Sequence, residues 1–165
     1  MNTGETILTI GSLILLSLFT LTLTSHNVQE QTTLYNSGQV IEAIGIAQKY
    51  IEKAELLNFD EDKSAMSTGA FTEPDYLGPD YGENVNTYDD IDDYNGLSVT
   101  ETLGSIPYSV SIQVHYVAET SPYQQVAYRT YIKQIKVTVS SNKFSENTPP
   151  LVLKKLFAYH YFFSE

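Results

Sequence analysis

The chain has 165 residues, room for one compact domain and an appendage but not for two full domains. Nine Lys+Arg against 20 Asp+Glu leave a net charge of −11, which argues against binding to a nucleic-acid backbone. With no Cys, a disulfide framework, a thiolate metal site and a Cys nucleophile are all excluded.

The first element runs from Ile7 to Thr24 (ILTIGSLILLSLFTLTLT), 18 residues with no charge and no Pro. At about 1.5 Å per residue a helix of that length spans roughly 27 Å, close to the hydrocarbon thickness of a bilayer. A removed secretory signal needs a basic flank and a small-residue cleavage site. Here the first basic residue is Lys49, and Leu-Thr-Leu-Thr-Ser-His is a poor cleavage site. From Asn27 the pattern turns amphipathic, with apolar Ile41, Ile44, Ala47, Ile51 and Ala54 at steps of three and four. One helix of about 80 Å from about residue 3 to about residue 57 is expected. Thr20, Thr22, Thr24, Ser25 and Asn27 are weak helix formers that make room for a local break.

Glu5 precedes the apolar run, and no Lys or Arg occurs in the first 48 residues. A carboxylate in apolar surroundings is costly unless paired, and the cation within reach is the α-amino group of Met1, its own or a neighbouring copy's. A second reading stays open: Asn2-x-x-Glu5 is a capping box, with Glu5 solvated at the positive end of the helix dipole. Gly11, Ser12 and Ser17 are small residues of the kind that let apolar helices pack closely.

Residues 59–96 form an acidic stretch, with 11 Asp+Glu and a single Lys from Asp60 to Gly96. Neither a period of 2 nor of 3.6 is sustained, so a long surface loop is expected. Asp89, Asp90, Asp92, Asp93 and Asn95 supply hard oxygen ligands of the kind Ca²⁺ takes, although the spacing is not that of an EF-hand. The alternative is a solvated acidic face. No cofactor is required by either reading.

From about Leu97 the period becomes 2. Tyr108, Val110, Ile112, Val114 and Tyr116 alternate with Ser109, Ser111, Gln113 and His115 in a half-buried strand. A turn is expected at Ser121-Pro122 and a strand from Val126 to Ser140, whose apolar phase shifts from Tyr128/Ile132 to Ile135/Val137/Val139 and suggests a bulge. Leu151–Phe163 is apolar on both faces, so a central strand or one packed against another subunit is expected. A short strand near Leu97–Thr102 makes the count three to four. The expected class is α+β, a single antiparallel sheet along the amphipathic half of a long N-terminal helix. The layout is 1–27 hydrophobic helix, 28–58 amphipathic helix, 59–96 acidic region and 97–165 sheet. The three His (His26, His115, His160) match no catalytic or metal spacing, and no catalytic constellation emerges, so no enzyme is expected.

A Met1 start, Glu5, an uncharged helix, an amphipathic continuation and a β-rich end together resemble a type IV pilin or pseudopilin. The stretch Tyr88–Gly96 (YDDIDDYNG) is similar to one in prepilins of the mannose-sensitive haemagglutinin type. Asn2-Thr3-Gly4 departs from the hydrophobic residues usual before the Glu, and the Pro that commonly kinks the helix is missing. The resemblance implies that Glu5 neutralises the Met1 amine of a neighbour as helices bundle in a filament core. It further implies a homo-oligomeric filament at the cell surface, a precursor held in the cytoplasmic membrane, and partnership with a pilus assembly machinery. Two other functions stay open: a pseudopilin of a type II secretion-like system or minor pilin, and a single-span anchored binding or adhesion domain.

Overall fold

The computed structural model describes residues 2–61, 70–144 and 148–159, and the chain divides into two units, 1–39 and 40–165. Helix α1 (Thr3–Glu55) opens after Asn2, whose carbonyl accepts the Glu5 N–H at 2.9 Å. In the first unit the large apolar side chains from Ile7 to Leu23 are exposed on every side. The stretch Thr3–Thr24 has a mean hydropathy of 2.1 and is long and apolar enough to cross a membrane.

Helix α1 carries no break at Thr20–Asn27. The hydroxyls that make Thr a weak helix former are occupied within the helix. Thr20, Thr22 and Thr24 Oγ1 donate to the carbonyls of Leu16, Leu18 and Thr20 at 2.6, 2.9 and 2.8 Å. A hydroxyl closed onto the preceding turn no longer draws the backbone into other conformations.

In the second unit α1 buries Ala43, Ile46, Ala47, Tyr50 and Ala54 against Val110, Ile112, Val114, Ile135, Val137 and Val139. This face is rotated from the expected one: Ile41 is 68% exposed, and Ile44 and Ile51 are half-buried. Three of the five buried helix residues are alanines, with Ile46 and Tyr50 between them.

The strands are β1 (Ser98–Leu103), β2 (Ile106–Ala118), β3 (Ser121–Gln125), β4 (Ile132–Ser140) and β5 (Leu151–Ala158). They form one antiparallel sheet in the order β1-β2-β4-β5, with β3 paired to β2 off this path. The α+β class and the single antiparallel sheet hold, with five strands in place of three or four. The additional strand is β3, where a turn was expected at Ser121-Pro122. Ala118 pairs with Ser121 across a tight reversal, and the register shift lies between Val117 and Ala118. Pro122 is tolerated because the strand makes few ladder bonds.

No bulge interrupts β4 against β2: pairing is regular from Ser109↔Ser140 to Tyr116↔Lys133. The core phase of β4 is Lys133, Ile135, Val137 and Val139, all buried. What looks like a shift of phase is a lysine on the core face. Strand β5 is at an edge of the sheet, not its centre, with Leu151, Leu153 and Phe157 against the core and Val152 and Leu156 outside. Residues 160–163 of the expected strand lie outside the described residues.

Candidate functional site

Most described residues from 73 to 89 are exposed, as a surface loop would be, but Asp90–Tyr94 at the end of the acidic segment are buried. Asn58 pairs with Asp90 in a parallel bridge, the Asn58 N–H bonding Asp89 O and the Ile91 N–H bonding Asn58 O, both at 3.0 Å. Ile91 and Tyr94 join the main core, and Asp92–Tyr94 form a 3₁₀ turn. Where a surface loop was expected, the apolar Ile91 and Tyr94 draw their acidic neighbours inward.

At the centre is Lys133, whose side chain is fully buried. Nζ donates to Phe59 O at 2.6 Å, to Asp60 Oδ2 at 2.9 Å and to Asp92 Oδ1. The rings of Phe59 and Tyr116 stand 4.6 and 5.5 Å away. Asp60 also accepts the Thr72 N–H at 3.0 Å and the Thr72 hydroxyl at 3.2 Å. Asp90 Oδ1 accepts the N–H groups of Asp92 and Asp93 at 2.8 and 3.2 Å, capping the 3₁₀ turn. Burial, then the charge of Asp92 and a hydrogen bond to it, push the Asp90 carboxyl up to about 8. Burial raises Asp92 as well, with Lys133 acting against it.

On the outer side, Glu83, Asp89 and Asp93 bring one carboxylate oxygen each within 4.8 Å of one another. Asp93 Oδ2 accepts the Asp89 and Asp90 N–H groups at 3.0 and 3.1 Å, yet burial pushes its carboxyl up to about 6. Glu61 is pushed to about 7, first by a hydrogen bond with Asp89, then by burial and by the charges of Asp89, Asp80 and Glu83. Carboxylates crowded in this way are the groups here that could hold a hard divalent cation.

The five candidate Ca²⁺ ligands therefore separate. Asp89 and Asp93 are in the outer cluster, Asp90 caps backbone, and Asp92 is bonded to Lys133. The Asn95 amide is a brace, donating to Leu77 O at 2.8 Å and accepting the Val114 N–H at 2.9 Å. Glu61 and Glu83 lie outside the YDDIDDYNG motif, so no local spacing marks them. Asp60 and Lys133 were also missed in sequence. The signal for Lys133 was its place in the period-2 series ending in Ile135, Val137 and Val139.

Of the assembly residues in the first unit, Met1 lies outside the described residues. Glu5 is exposed at the start of α1, and Ser12, seven positions on, shares its face to within about 20°. Nothing comes within 4 Å of a Cβ built on Gly11. Ser17 Oγ donates to Leu13 O at 2.8 Å. Gly11, Ser12 and Ser17 are small, which suits close approach of another helix.

The second unit also has an open groove of about 580 Å³, lined in part by Asp75, Gln113, His115 and Gln125. Burial lowers the His115 pKa first, and Lys154 and Lys136 add to this. Comparison with protein families, with curated proteins and with solved structures finds no match.

Proposed function

We propose that this protein is a structural subunit of a cell-surface helical filament of type IV pilin-like architecture, polymerising through its N-terminal helix. The observation that carries the reading is the stretch Thr3–Thr24, apolar and exposed all round, with a single acid, Glu5, near its start. A helix of this kind is stable in lipid or among its own copies. The hydroxyls of Ser17, Thr20, Thr22 and Thr24, bonded within the helix, enter either surrounding without an unmet donor. The precursor waits in the cytoplasmic membrane, and assembly exchanges lipid contacts for helix packing. Gly11, Ser12 and Ser17 permit the close approach, and Glu5 sets axial register against the amine of Met1. The acidic cluster of Glu83, Asp89 and Asp93 takes Ca²⁺, which rigidifies the second unit.

The same features serve a pseudopilin or a minor pilin, which differ in abundance within the filament. The groove favours a separate alternative, an anchored binding domain that never polymerises.

Substitution of Glu5 separates these readings. Glu5→Ala and Glu5→Lys should leave the circular dichroism of the second unit unchanged while abolishing or disordering polymers. Normal polymers from Glu5→Ala would contradict the register role. A monodisperse wild-type particle that also tolerates Leu at this position would favour the anchored domain.

A further inference from the structure

Lys133 is a primary amine with no solvent exposure, in contact with the carboxylates of Asp60 and Asp92. Such a pair has given up its hydration on both sides, which is costly for each ion. Condensing the two groups into an amide removes both charges at once. In water, hydrolysis opposes that reaction. Here the Lys133 and Asp92 side chains are 0% and 3% exposed, so the product is shielded from water. Fixed contact in the folded chain also replaces a bimolecular encounter with a high effective concentration.

We propose that Lys133 Nζ and Asp92 Cγ join in an intramolecular isopeptide bond, formed by the folded chain on its own residues. Asp92 is chosen over Asp60 by its neighbours. The oxygens of Asp60 are occupied by the Thr72 N–H and hydroxyl as well as by Lys133. Asp92 Oδ1 instead takes the Lys133 amine.

The step balances on these groups alone. Nζ passes one proton to Asp60, and the freed lone pair attacks Asp92 Cγ to make the C–N bond. A second Nζ proton and the one taken up by Asp60 go to the departing Asp92 oxygen. The C–O bond breaks, and one water leaves. Asp60 ends as the carboxylate it began as. Carbon, nitrogen and oxygen keep their oxidation states, so no oxidant or reductant is needed.

The bond ties the 3₁₀ turn Asp92–Tyr94 to the interior strand β4 across a sequence separation of 41 residues, in a chain with no Cys. It holds the buried acidic segment to the sheet by a covalent link that heat and denaturant do not open. This inference rests on the surroundings of Lys133 and is independent of the filament reading.

Mass spectrometry of the denatured full-length chain tests it. The expected result is a mass lower than the sequence mass by one water. A tryptic digest should show no cleavage after Lys133 and a branched peptide joining the Lys133 and Asp92 segments. Asp92→Ala should restore the full mass. Asp60→Asn keeps an acceptor for Thr72 but cannot relay the Nζ proton, and should lower the dehydrated fraction of the purified chain by about 100-fold. The proposal is overturned by a full-mass wild-type chain, by a dehydrated chain still cleaved after Lys133, or by a branch at Asp60. Should Asp92→Ala fail to fold, the wild-type branched peptide and the Asp60→Asn mass decide.

Discussion

Within one short motif, neighbouring carboxyls have separate work. Asp90 caps a turn, Asp92 meets a buried amine, and Asp93 looks both to backbone and to the outer cluster. The outer cluster makes stability depend on pH with a definite sign. Asp93 and Glu61 are raised to about 6 and about 7, above the values near 4 of an unfolded chain, so the native state binds more protons between. Their contribution is complete below about pH 4 and is lost as pH rises through 6 and 7. The thermal midpoint should therefore be higher at about pH 5 than at about pH 8, and Glu61→Gln with Asp93→Asn should flatten the difference. Glu101, held down by Lys49 and Tyr50, acts only at lower pH. Ca²⁺ should reverse the loss at high pH, by about 2.7 kcal/mol at a hundredfold excess over Kd. A chelator should remove that gain, and a midpoint indifferent to Ca²⁺ at pH 8 would exclude the metal. The acidity of this segment was plain in the sequence, but its burial was not. Periodicity reports apolar residues, and Ile91 and Tyr94 are too few and too close together to set up a period.

At the scale of elements, the helix and the sheet meet through alanines. Ala43 and Ala47 have no exposure, and Ile112 lies equally buried on β2. Ala47→Leu should overpack this contact and cost about 1–3 kcal/mol, while Ile112→Ala should leave a cavity costing about 2–5 kcal/mol. Ile41→Ala, on the exposed side, should change stability by less than about 0.5 kcal/mol. Chemical denaturation of the detergent-solubilised chain measures all three, and a larger loss from Ile41→Ala than from Ala47→Leu would contradict the packing described. The helix was legible because steps of three and four repeat over many turns. Its buried side was not, since isoleucines stand out to the eye whereas three of the fully buried positions are alanines. Strand β2 was legible for the same reason of strict alternation. Strand β3 was hidden by Pro122, and Lys133 gave β4 the look of a slipped register. The edge position of β5 follows from pairing order, which its apolar run does not encode.

For the whole molecule, the two units pose opposite problems. The second unit buries its own apolar core and pairs its buried Lys133 with Asp60 and Asp92. The first leaves an apolar stretch, Thr3–Thr24, with none of it buried. Exposure on that scale calls for lipid or for copies of the same helix. Assembly through this helix should be insensitive to Ala47→Leu as long as the second unit still folds, and sensitive to Glu5→Ala. Electron microscopy of the full-length protein as detergent is withdrawn tests self-association most directly. Filaments of uniform diameter and regular axial repeat are predicted. Dispersed single particles, or vesicle-bound monomers under every native condition, would contradict the account.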